Sequence, residues 1–331
     1  MKKYLLSKEG SFYKANLHCH TNVSDGRLTP KEIKNIYKAK GYSVVAFTDH
    51  DVMIPHPELA DKDFLPLNGY EMEVSDEGER WLKKTCHMCL IAIEPDNLKQ
   101  VCYHRSKYMV GNGGDYLDKI QYDENEPDYV REYNSECISD MMKKGRDNGF
   151  FVTYNHPNWS LENYSDYMRY DYMNAMEVFN NECECLGYCE YNEKEYDDML
   201  RGGKRIYCIA TDDCHVIESC GGGFTMIKAD KLDYRAITNA LVAGNFYASQ
   251  GPSIYDLWFE DGRIHIDCSD AVSITLHTSS RRAKMIKAEK GGFVNTADFD
   301  VVPEDGYVRI TVTDSTGKHA NTNAYFTDEL F

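Results

Sequence analysis

The chain has 331 residues, 42% of them hydrophobic, enough for one large domain and a small one around a real core. Its 37 basic and 54 acidic residues leave a formal charge of −17, which disfavours a long nucleic acid as partner, because tracking phosphates needs a basic face. No apolar run approaches a membrane span and the opening MKKYLLSKEG carries no signal-peptide core, so the expectation is a cytoplasmic protein whose twelve cysteines are reduced.

The first strand-like run, ANLHCH, ends at His18 and His20 and is followed by a turn containing Asp25. A helix is predicted over 30–41, with Thr29 as cap, Pro30 in the first turn, Glu32 behind it and Gly41 at its end. SVVAFTDHD follows as a second strand, completing a βαβ unit. FLPLNGYE, HMCLIAI, FFVTYNH, NAMEVFN and RIYCIATDD continue the series, with helical stretches at 136–147, 193–201 and 234–243. Seven strands with interleaved helices predict an imperfect (β/α) barrel over residues 1–249. The polar, tyrosine-rich stretch 97–135 fits no strand and reads as an insertion over one end of the barrel, either a lid or surface decoration. From residue 250 to 331, short alternating strands separated by Gly, Asp and Ser predict a small C-terminal antiparallel β-sandwich.

Five of the strand ends carry residues of metal-ligand type: His18 and His20; Asp49, His50 and Asp51; Glu71; His156; and Asp212, Asp213 and His215. In parallel (β/α) folds such ends converge on one face. Residues two apart on a strand point the same way, which pairs His18 with His20 and Asp213 with His215 and turns Cys19 and Cys214 away. A single strand-end histidine is more often packed than ligating, but imidazoles and carboxylates brought together from five ends stay unsatisfied without a cation. Nitrogen and oxygen donors suit Zn, Mn or Fe(II), and more than four of them imply two to three divalent ions with a bridging hydroxide as nucleophile. Cys183, Cys185 and Cys189 lack a fourth ligand and read as ordinary thiols. Gly221–Gly223 offer backbone N–H groups that could meet a phosphate, or form a plain loop.

The motifs HCHTNVSDG, FTDHD, GYE, NHP and DDCH, in this order across residues 16–215, resemble the PHP (polymerase and histidinol phosphatase) metallohydrolases. The resemblance implies a distorted (β/α)7 barrel holding up to three metals. It implies His18, His20, Asp25, His50, Glu71, His156, Asp213 and His215 as ligands. His87 would join them only if its strand runs antiparallel to the one before. LVAGNFYASQGPSI and the β-rich tail resemble the carbaryl-esterase-like branch of that family. The family's usual Gly-Ser before the last motif is Ala210-Thr211 here. The function expected from these features is hydrolysis of a small phosphorylated substrate, with Asp51 and His104 as candidate general acids. Carboxylic or carbamate ester hydrolysis is the alternative, and a non-catalytic metal-stabilised scaffold a third.

Overall fold

Thr29 caps the first helix, α1 (Pro30–Ala39), through a capping box with Glu32, and Ile33 and Tyr37 form its buried face. A computed structural model describes residues 2–331. Each expected run meets a strand, ANLHCH only through Ala15 and Asn16: β1 (Ser11–Asn16), β2 (Val44–Phe47), β3 (Leu65–Ser75), β4 (Thr85–Ala92), β5 (Phe150–Asn155), β6 (Ala175–Asn180) and β7 (Tyr207–Thr211). Strands β1 to β3 pair in parallel, as do β5 to β7. Between them β4 runs antiparallel to both neighbours, pairing His87 with Glu73 on one side and Asn155 on the other. That reversal brings the start of β4 to the end of the sheet where β3 and β5 finish.

Around the expected barrel, β1 and β7 meet beyond their ends in a single parallel bridge, Cys19 with Cys214, where His20 N donates to Cys214 O at 3.0 Å. β8 (Phe224–Ala229) pairs with β1 on one edge and with β9 (Phe246–Ser249) on the other, so no free edge is left for β7. The Thr225 hydroxyl of β8 bridges the Ala210 backbone of β7, at 3.1 and 3.2 Å. Among the described residues no backbone ladder joins β7 to β8.

The tail strands continue a sheet that begins in the first part of the chain. β9 pairs with the strand His319–Thr322, and the same sheet runs on through Tyr307–Thr313 and Ser273–Thr278 to Lys284–Lys287. A second antiparallel sheet of Lys3–Tyr4, Ile254–Glu260, Arg263–Ala271 and Val294–Asp300 faces it across a core of Leu257, Phe259, Ile266, Ile274 and Ile310. Lys3–Tyr4 therefore sides with the tail, and the expected division at residue 250 cuts through a continuous sheet. Cys214 and Cys220 lie side by side with Cα atoms 5.5 Å apart, and the other ten cysteines are free. No helix among the described residues is long and apolar enough to cross a membrane.

Candidate metal centre

The strand ends carry their polar residues on tight backbone. Asp51, His156 and Asp213 are three of eight non-glycine residues with positive φ among the described residues, a conformation that costs energy and persists where surrounding contacts impose it. Asp49 organises the turn that carries Asp25, accepting hydrogen bonds from Thr21 N (2.7 Å), Ser24 N (3.1 Å) and both side-chain hydroxyls. The insertion braces the same turn. Asn112 N donates to Ser24 O at 2.8 Å, and a Cβ at Gly111 would lie 2.2 Å from that oxygen, so only glycine fits. Arg131, also from the insertion, is buried and forks onto the Asp51 carboxylate and Glu73 O.

All nine expected ligands come together. Glu71 lies 3.1–3.5 Å from nitrogens of His18, His20, His50, His87 and His156. Asp213 lies 3.1–3.7 Å from His18, His20, His156 and His215. Asp25 faces His20, His50 and His215 at 3.6–3.8 Å. His87 joins the group because β4 is antiparallel.

Proximity here is not hydrogen bonding. His20 Nδ1, His50 Nδ1, His87 Nδ1 and Asp213 Oδ1 are buried without a hydrogen-bond partner, although charged or basic atoms surround them. His18 Nε2 faces His20 Nε2 at 3.1 Å, two nitrogens that repel unless a proton or a cation lies between them. Orphaned buried donors and acceptors are rare in native proteins, and a shared cation satisfies them together. Sets that could hold an ion include His20, Asp25, His50 and His215; His18, His20 and Asp213; and His50, Glu73 and His87. The chemistry of the donor set therefore fits divalent ions.

Electrostatics point the same way. Burial alone would lower His18 and His20, but Asp213, Glu71 and, at His18, Glu177 outweigh it and hold both well above the ordinary histidine range. Burial would raise Asp213 and Glu71, yet the surrounding imidazoles pull both down. Burial and neighbouring His20 push His50 down to about 4. The carboxylates thus stay ionised and demand positive charge, which protonated histidines or bound cations provide.

Two residues escaped the sequence reading. Glu177, fully buried on β6, lies 2.7 Å from His18 Nδ1 and accepts from Thr211 Oγ1, His156 N and Asn180 Nδ2. A proton held on Nδ1 leaves the Nε2 lone pair for a cation. A lone carboxylate inside the apolar run AMEVFN was the available signal, since such a charge needs a partner. Glu73 stands 3.4 Å from His87, two residues along the same strand face as Glu71. Glu177→Gln should weaken metal binding by about 10–100-fold, read by titrating metal-free protein, because an amide nitrogen would face donors. Unchanged affinity would remove Glu177 from the site.

Other expectations change. Asp212 turns away and accepts from Gly221, Gly222 and Gly223 N–H at 2.6–2.8 Å and from Tyr37 at 2.9 Å. Those glycine amides are consumed and do not await a phosphate. Neither candidate general acid lines the cavity over the cluster. Burial pushes Asp51 up to about 6 against the pull of Arg131, which occupies both its oxygens. His104 belongs to the insertion, where its Nδ1 accepts from Ser106 N. Cys183 is buried, whereas Cys185 and Cys189 are exposed.

The cluster forms the floor of a cavity of about 780 Å³. Arg27, Arg80 and Lys83 line it, and none of the three has an ion-pair partner among the described residues. Trp159 packs edge-on against His87 and His156, with ring centroids at 5.3 and 5.0 Å.

A histidine- and carboxylate-rich centre at the strand ends of an α/β sheet describes a class of metal-binding domain, and the comparisons narrow it. The family model described as PHP domain matches residues 16–176, just under half of the chain. The 3',5'-nucleoside bisphosphate phosphatase of Chromobacterium violaceum is 34% identical over 84 residues, 24% of this chain and 28% of that protein. A 5'-3' exoribonuclease of Haemophilus influenzae is 38% identical over 69 residues, 20% of this chain and 25% of that one. The chain thus spans only about a quarter of the length of these curated relatives. Among solved structures, a two-domain protein of Bacteroides vulgatus, described as containing a predicted PHP-like metal-dependent phosphoesterase, aligns over 94% of this chain and 93% of its own, at 14% identity and a TM-score of 0.46. An amidohydrolase of Chromobacterium violaceum aligns over 61% and 87%, at 18% identity and a TM-score of 0.40.

Proposed function

We propose that the protein is a metal-dependent hydrolase of a small phosphoester. The observation that carries this reading is the cavity. Seven of the nine metal-type side chains line its floor, and its walls hold Arg27, Arg80 and Lys83 unpaired in a chain of net charge −17. Unpaired cations in an acidic protein concentrate an anionic ligand where the cluster can reach it. A nucleoside bisphosphate phosphatase among the relatives agrees with that chemistry.

His18, His20, Asp25, His50, Glu71, His87, His156, Asp213 and His215 would hold two to three divalent ions, of the kind imidazole and carboxylate prefer, such as Zn, Mn or Fe(II). Such ions supply Lewis-acid charge to phosphoryl oxygens and acidify a water at neutral pH. The chain's own groups do the rest. Glu177 keeps the His18 proton on Nδ1. Asp49 and Asn112 set the turn of Asp25, and Arg131 holds the backbone beside His50 through Asp51. Arg27, Arg80 and Lys83 draw the anion in, while Trp159 shields His87 and His156 from water.

A second reading, hydrolysis of a carboxylic or carbamate ester, draws on the apolar side of the same cavity, where Trp159, Leu161 and Leu186 would suit an uncharged substrate. The three cations favour the phosphoester. Chelation followed by gel filtration should abolish turnover of phosphomonoesters, and added Mn or Zn should restore it. Reloaded protein that hydrolyses carbamate or carboxylic esters but no phosphoester would replace the first reading with the second.

A further inference from the structure

We infer that the cleft between the insertion and the helix Ser135–Asp147 is a regulatory site for an aromatic amino acid, and that a ligand there tightens the metal loops of Asp25 and His50. The inference goes beyond the phosphoester reading and does not depend on it.

The cleft has a volume of about 310 Å³ and shares no lining residue with the cavity above the metal cluster. The insertion supplies most of its lining, and Lys144 and Asn148 come from the helix and its C-cap. Its size lies at the low end of small-molecule sites, which suits a ligand as small as an amino acid. Lys99, Lys144, Asp123 and Glu126 all line it, yet none of the four side chains makes an ion pair among the described residues. Arg105, the remaining cation, is spent on Asp128 at 2.7 Å. Asp123 accepts from Asn125 through Oδ1 alone and keeps Oδ2 open. Opposite charges left unpaired in one cleft match a ligand that carries both, with a carboxylate for the lysines and an ammonium for the acids. A simple anion would gain the lysines and face both carboxylates as well.

The rest of the lining is largely aromatic. Tyr103 and Tyr122 stack with ring centroids 4.4 Å apart, and the Tyr129 ring centroid lies 6.0 Å from Lys144 Nζ. Ring faces and edges favour a flat side chain on the zwitterion.

The cleft reaches the metal loops through its own lining. Tyr103 and Tyr122 pack in one apolar cluster with Val23 and Val52, two residues from Asp25 and from His50. Gln100, which is buried, donates from Nε2 to Asp51 O at 2.8 Å and accepts from Met53 N at 2.7 Å. Cys102 sits at φ 53°, and its carbonyl accepts at 3.3 Å from Arg131 Nη2, the nitrogen that also grips Asp51. Such backbone persists only while its contacts hold it. A ligand resting on Gln100, Cys102 and the two rings therefore reinforces the brace behind Asp25 and His50, two of the four residues in the set His20, Asp25, His50 and His215. Coupling between two sites of this kind is typically about 5–150-fold, and it is reciprocal.

The test titrates L-phenylalanine, phenethylamine and 3-phenylpropionate calorimetrically into the zinc-loaded chain. The two analogues lack the carboxylate and the ammonium in turn, and each should bind at least about tenfold more weakly than phenylalanine. In the double variant Lys99→Ala/Lys144→Ala, phenylalanine should fall to the level of phenethylamine, whose own affinity should not drop. Saturating phenylalanine should also raise the nitrilotriacetate concentration that strips half the bound zinc by at least about fivefold, in the parent chain and not in the double variant. Phenylalanine bound equally by both chains, or no more tightly than its analogues, overturns the site. Zinc lost at the same or a lower chelator concentration, as when the amino acid merely chelates the ion, overturns the coupling. Neither readout involves phosphoester turnover, so a failure of the phosphoester reading leaves both intact.

Discussion

Replacing His18 by alanine is expected to lower kcat/KM on a phosphomonoester by about 10³-fold or more, and to leave the purified protein short of metal. His18 is the side chain most deeply involved in the cluster. Its Nε2 lies 3.1 Å from Glu71, 3.2 Å from Asp213 and 3.1 Å from His20 Nε2, while Nδ1 is held by Glu177. Removing it takes a donor from three of the sets that could hold an ion. Lewis-acid stabilisation is worth several kcal/mol, and each 1.36 kcal/mol is tenfold in rate, which sets the scale. Elemental analysis of the variant separates this outcome from simple misfolding: a folded chain with low metal content is the expected state. Full metal content with full activity would mean that the cluster is not the centre of the chemistry.

The second large effect is on stability. Arg309, 1% exposed, sits on the tail strand Tyr307–Thr313 and reaches the helix Glu193–Arg201 of the other half of the chain. Its Nε and Nη2 donate to Asp197 at 2.8 and 2.9 Å, Nη2 also to Glu193 at 2.8 Å, and Nη1 to Thr311 at 3.1 Å. Tyr307 adds a hydrogen bond to Asp197 at 2.9 Å. Alanine at this position leaves buried Asp197 with Tyr307 and the more distant Arg201, at 3.5 Å, in place of its two short guanidinium contacts. The expected cost is about 3–5 kcal/mol, measured by urea unfolding of metal-free protein, because breaking one side of a buried pair exposes the full desolvation penalty of the other. A loss below about 1 kcal/mol would place Arg309 among ion pairs that solvent already screens.

Much of the site was legible because its chemistry is local to strand ends. His18 and His20, or Asp213 and His215, announce themselves by type, spacing and position after an apolar run. Glu177 was hidden because its role depends on a partner 159 residues away, and nothing in AMEVFN says which neighbour it meets. The glycines at 221–223 left two readings open for the same reason. Their amides look free in sequence, and only folding brings Asp212 onto them. His87 shows the limit from the other side: its residue type suited the cluster, but strand direction decided whether it could arrive.

By itself the sequence determined the strand and helix segments, the caps and the identity of nine side chains able to bind metal, since periodicity, capping and residue chemistry act over a few neighbours. Only the tertiary structure decided that β7 meets β1 in a single bridge while β8 takes the rest of that edge, that the sheet runs on into the tail, and that Arg131 from the insertion grips Asp51. Those outcomes depend on which edges pair and which charges meet across long stretches of chain. Edge pairing and buried charge are settled by competition among distant partners, and no local pattern records the winner.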